Sequence, residues 1–116
     1  MIINALIVGG AALASLSAGI VQASPAGSGD YAAAAIASGE FDSAERTLQP
    51  TSHADAADPA RLINIATVFA RTQRLADARA ALMRVQALPD EQLELANGAN
   101  YSSHRIGTAM LQRLGR

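Results

Sequence analysis

Apolar positions follow three different rhythms along this chain. From Ile2 to Val21 they form one largely uninterrupted stretch without a charged side chain. From Tyr31 to Val85 they recur every three or four residues, the spacing of helices that bury one face. Between 91 and 101 the period shortens to two. It then lengthens to four again through Ile106, Met110 and Leu114.

The middle region divides into two helix pairs. Asp30 is placed to cap a helix running through Tyr31, Ala32, Ala35 and Ile36, and Gly39 suits the left-handed position that ends it. A second helix runs through Phe41, Ala44, Glu45 and Leu48 until Pro50 stops it. Thr51 to Asp58 reads as a polar, alanine-rich connection. Asp58-Pro59 is a strong helix start: the carboxylate accepts from free amides, and proline fits the first helical position. The third helix presents Leu62, Ile65, Ala66 and Phe69. The fourth presents Leu75, Ala78, Leu82 and Val85, and ends near Pro89.

In the tail, Leu93 and Leu95 alternate with polar residues before Asn97-Gly98, which favours a hairpin over an irregular loop. A two-residue loop would pair Leu95 with Asn100 and mix apolar with polar positions. A three-residue loop, Ala96 to Gly98 with Gly98 left-handed, pairs Leu95 with Ala99 and Leu93 with Tyr101, and is preferred. Ser102 or Ser103 then caps a last helix, expected to cover the open end of the second pair.

The two pairs superpose. Gly39 matches Gln73, Phe41 matches Leu75, Ala44 matches Ala78, Leu48 matches Leu82 and Ala32 matches Ala66, each 34 residues apart. Loop lengths and apolar stripes alone also suit an ordinary antiparallel bundle. The recurrence of small residues at matched crossings favours a repeat of paired helices. On these residues the chain resembles the tetratricopeptide repeat family. In the better unit, Pro59 to Pro89, Leu62 stands for the family's tryptophan, Ile65-Ala66 for its Leu-Gly pair and Phe69 for its tyrosine. Ala78, Leu82 and Pro89 continue the pattern. The first unit is degenerate.

The expected fold is therefore all-α: TPR-like antiparallel helix pairs with a short C-terminal hairpin or loop and a capping helix. Its parts are a degenerate repeat over 30–50, a repeat over 59–89, a hairpin over 91–101 and the cap over 103–115. The resemblance implies a protein-interaction or scaffold role without catalysis. It places a partner-binding face on the first helix of each pair, at Ala33, Ile36, Ala37, Ile63, Asn64, Thr67, Ala70 and Arg71. That face would hold a partner or the chain's own leader or tail. The family's carboxylate-gripping groove depends on lysines, and this chain has none, so that activity is not implied.

Residues 1–23 read as a signal peptide cut after Ala23, where Val21-Gln22-Ala23 puts small residues at the first and third places before the cut. An uncleaved transmembrane helix is the alternative, since about 20 apolar residues span a bilayer. No Lys or Arg precedes the run. Residues 24–29, rich in Ser, Pro and Gly, read as a flexible leader. Basic residues that are all arginine suggest a GC-rich bacterial gene, so export means the periplasm or the medium.

Nine basic residues against ten acidic ones argue against a nucleic-acid binder. The lack of cysteine excludes disulfides, thiolate metal sites and cysteine nucleophiles. His53 and His104 are the two histidines. His53 with Asp55 and Asp58 makes at best a weak metal cluster. Ser102-Ser103-His104 reads as a helix cap rather than a nucleophile beside a base. Arg71, Arg74, Arg79 and Arg84 read as a solvated face. No cofactor, metal site or catalytic residue is expected. The competing readings are a small periplasmic hydrolase using His104 and a membrane-tethered accessory subunit. The thinly covered alanine-rich first helix is expected to fray or to dock, through Ala33, Ile36 and Ala37, on a foreign partner or a second copy in a weak homodimer.

Overall fold

The computed structural model describes residues 20–23 and 31–115. The elements run β1 (Val21–Ala23), α1 (Ala33–Ala37), α2 (Phe41–Leu48), α3 (His53–Ala56), α4 (Pro59–Arg71), α5 (Leu75–Ala87), β2 (Gln92–Leu95), β3 (Asn100–Ser102) and α6 (Ser103–Leu114). The chain is mainly helical, with one small antiparallel sheet in the order β1-β2-β3.

Helix α4 is the hub. Asp58 caps it by accepting from the Ala60 amide at 3.0 Å, with Pro59 at the first position. Its buried residues include Ala60, Ile63, Asn64, Ile65, Ala66 and Val68, which lie on more than one face of the helix. A helix apolar nearly all round belongs inside a fold. It packs against α5, α2, α6, β1, α1 and α3.

The two turns joining α1 to α2 and α4 to α5 repeat each other bond for bond at an offset of 34 residues. The Glu40 amide donates to the Ala35 carbonyl at 2.8 Å, and the Arg74 amide donates to Phe69 at 2.8 Å. Ser38 and Thr72 return amide and hydroxyl to Ala34 and Val68. Gly39 at φ +82° and Gln73 at φ +65° occupy the same left-handed position. Ala44 and Ala78 are fully buried, as are Leu48 and Leu82 four residues on.

Three local features depart from expectation. The Asp30 cap lies outside the described residues, and α1 begins only at Ala33, after a left-handed Ala32 without a side-chain cap. The polar connection contains α3, capped by Ser52 through the Asp55 amide. The all-α expectation omits β1, which the sequence assigned to the end of a signal peptide.

In the hairpin Leu93 faces Tyr101, the Leu95 amide donates to the Ala99 carbonyl at 2.8 Å, and Gly98 sits at φ +87°. Ser102 caps α6 through the Arg105 amide. Helix α6 lies on α5 and α4, with Gly107 allowing close approach to Val85 and Gln86.

Candidate interaction site

Helix α4 and the β2 edge form a groove, and residues 20–23 lie in it. Val21 pairs with Leu95, and the Ala96 amide donates to the Ile20 carbonyl at 2.8 Å. On the other side of the strand stands a side chain rather than another strand. The Asn64 carboxamide accepts from the Val21 amide at 2.7 Å and donates to the Val21 carbonyl at 2.8 Å. A residue on a neighbouring antiparallel strand would make the same two-way exchange. The second Asn64 N–H reaches the Tyr31 carbonyl at 2.8 Å. Only one orientation of the amide satisfies all three backbone groups. Ile20, Val21 and Asn64 are each fully buried.

The eight residues expected to face a partner do not share one surface. Ile36, Ile63 and Asn64 are fully buried, the last holding β1. Thr67, Ala70 and Arg71 line a shallow cavity of about 120 Å³ between α4 and α6, closed by Leu82, Met110, Arg113 and Leu114. That volume admits one side chain and falls below the roughly 300 Å³ at which cofactor sites begin. Ala33 is half-buried and Ala37 exposed at the other end of the fold.

Residues considered for chemistry are bound into the scaffold. The Ser103 hydroxyl is buried, donates to Asp90 at 3.2 Å and accepts from the Glu91 amide at 3.0 Å. The His104 ring turns the other way, to the Leu88 carbonyl at 2.6 Å. The His104 backbone amide donates to Asp90 and is the main reason that carboxyl is held below its ordinary pKa. Serine, histidine and aspartate thus come together, but the ring meets a carbonyl where a nucleophile would need it.

His53 is exposed on α3. Asp55 is engaged by Thr51, whose hydroxyl and amide lower its pKa, and Asp58 by the Tyr31 hydroxyl. No group of three metal-ligating side chains occurs among the described residues.

Of the arginines read as a solvated face, Arg79 and Arg84 are exposed, while Arg71 and Arg74 tie elements together. Arg74 bonds both oxygens of Glu45, joining α2 to the start of α5, and its guanidinium lies 4.8 Å from the Phe69 ring centroid. This bond holds the Glu45 carboxyl below its usual range and raises Arg74. Arg71 lies over Phe41 at 5.7 Å, and Arg79 caps the Leu114 carbonyl. No signal in the sequence pointed to the Glu45–Arg74 pair. Nothing in the sequence marked Asn64 as a strand holder.

Compared with protein-family models, curated proteins and solved structures, the chain matches none.

Proposed function

We propose that this chain is an exported, tetratricopeptide-like helix-pair module that acts in the periplasm or medium by binding another protein, with no catalysis of its own. One observation carries the reading: the 34-residue period recurs in backbone hydrogen bonds, left-handed turn residues and buried alanines, not merely in composition. Stacked helix pairs leave the first helix of each pair to line a groove. Here Ala70 and Arg71 stay partly accessible beside a small apolar cavity, with Thr67 buried beneath them. The test places a photo-crosslinking residue at Ala70 or Arg71, with Met83 on the exposed side of α5 as control. A defined adduct in the native envelope from the groove positions and none from Met83 is expected. Adducts at all three positions alike, or at none, refute the reading.

The membrane-tethered alternative has one observation of its own. Ile20 and Val21 are part of the core, and a chain that keeps residues 1–23 keeps them there. No described helix is long and apolar enough to cross a membrane. Residues 1–19, which would supply the anchor, lie outside the described residues. The mass of the native protein separates the readings, since processing after Ala23 leaves Ser24 first.

A further inference from the structure

We propose that the groove now holding β1 is an acceptor for an extended strand of another protein bearing two adjacent aliphatic residues, and that Asn64 reads the backbone of that strand. This rests on the exported-module reading with a cut after Ala23, and names the site and its occupant.

The strand lies wholly upstream of that cut. Processing therefore removes the element that fills the groove. The Ala96 amide loses the Ile20 carbonyl, and Asn64 loses two of its three partners. Two fully buried side-chain positions are vacated as well. A bared sheet edge beside an unpaired carboxamide and apolar walls is costly to leave in water and is a template for strand addition.

The geometry selects the occupant's conformation. Asn64 takes both the N–H and the C=O of one residue. A helix spends those two groups internally, whereas an extended chain leaves them free. The alternation is also set: one residue offers its carbonyl to β2 and the next offers both backbone groups to α4. The side chains there fit Ile and Val, which fixes the apolar preference. A second processed copy has lost the same segment, so the strand comes from a different protein.

The test uses the full-length chain with Val21→Pro, which removes the N–H that Asn64 accepts and weakens the resident strand. A labelled peptide, Gly-Ile-Val-Gln-Ala-Ser, is titrated by fluorescence anisotropy. Saturable binding is expected, about tenfold tighter than to the unaltered chain. The same peptide N-methylated at Val should bind about tenfold more weakly, the cost of one lost hydrogen bond. If Val21→Pro does not fold, Val21→Ala takes its place, weakening the resident strand through its apolar anchor. No saturable binding to the folded variant overturns the proposal, as does equal affinity of the methylated peptide. The native N-terminus is determined in parallel. Ser24 first with no peptide binding sinks this inference and leaves the exported module standing. A native chain retaining residues 1–23 keeps the groove filled and overturns the foreign strand together with the cut after Ala23, whatever the peptide does.

Discussion

Asn64→Ala withdraws an acceptor from the Val21 amide and donors from the Val21 and Tyr31 carbonyls, all beside a fully buried side chain. Each Val21 backbone group left buried without a partner costs about 1–3 kcal/mol, so keeping the strand in place costs between about 2 and 6 kcal/mol. Releasing the strand is the escape. It exposes Ile20 and Val21, at about 1.5–3 kcal/mol each, and regains about 1–2 kcal/mol of backbone entropy per freed residue. With two residues freed the net cost of release is the smaller, so the cheaper route limits the loss, and we expect about 1–2 kcal/mol. In a domain of this size that lowers the melting temperature by about 4–16 °C. Chemical denaturation measures the total. Hydrogen exchange locates it: the Val21 amide should lose protection while α5 keeps most of its own. A change below about 0.5 kcal/mol, the range of an inconsequential surface substitution, would refute the account. So would an increase in exchange spread evenly over the fold.

Asn64→Asp adds a sign. The carboxylate still accepts from Val21 but faces two carbonyls, so burial and repulsion raise its folded pKa above the unfolded value of about 3.9. A raised folded pKa means the neutral form is the tolerated one. The protonated variant keeps the Val21 amide and one carbonyl as partners, so it should exceed Asn64→Ala in acid and lose that advantage as pH rises through the folded pKa.

Ala78→Arg should cost several kcal/mol and unfold the domain, since Ala78 is fully buried in the core; wild-type melting by circular dichroism would refute the helix crossing. Glu45→Gln should flatten the acid limb of the stability curve. The depressed Glu45 pKa gives stability that is present above the unfolded value near 4.5 and lost as pH falls through the folded one. The pair is partly exposed, so the difference at pH 7 should be at most about 1 kcal/mol, and an unchanged limb would show that it contributes nothing. Gln73→Gly should stabilise by up to about 1 kcal/mol by removing a left-handed non-glycine residue, whereas Gly39→Ala should destabilise by about as much. No atom lies within 4 Å of a Cβ added at Gly39, so that cost is conformational, and effects of the same sign in urea melts would contradict the turn equivalence.

The positions that sequence reasoning located are those where local chemistry and packing agree. Asp58-Pro59 starts α4 because cap and first-turn preference coincide, and Gly98 fixes the hairpin because only the three-residue loop sets Leu93 and Leu95 opposite apolar partners. Helix α3 escaped because four residues are too few to show a period, although Ser52 carried a cap signal. Gln73 gave no sign of a left-handed backbone by residue type. It became legible only through its alignment with Gly39.

The strand β1 was hidden for a different reason. A signal peptide and a buried strand ask for the same residues, a short uncharged aliphatic run beside small ones, and Ile20-Val21 satisfies both. Periodicity cannot separate them, because a strand buried on both faces has none to show. The separating evidence lay 43 residues away in Asn64, a carboxamide on the buried central helix. Such a residue is expensive there unless backbone groups without partners of their own are brought to it. Its three neighbours on either side include Ile63, Ile65 and Ala66, so a polar side chain at that point already implied a tertiary partner. What the helix could not reveal was which backbone that partner belonged to.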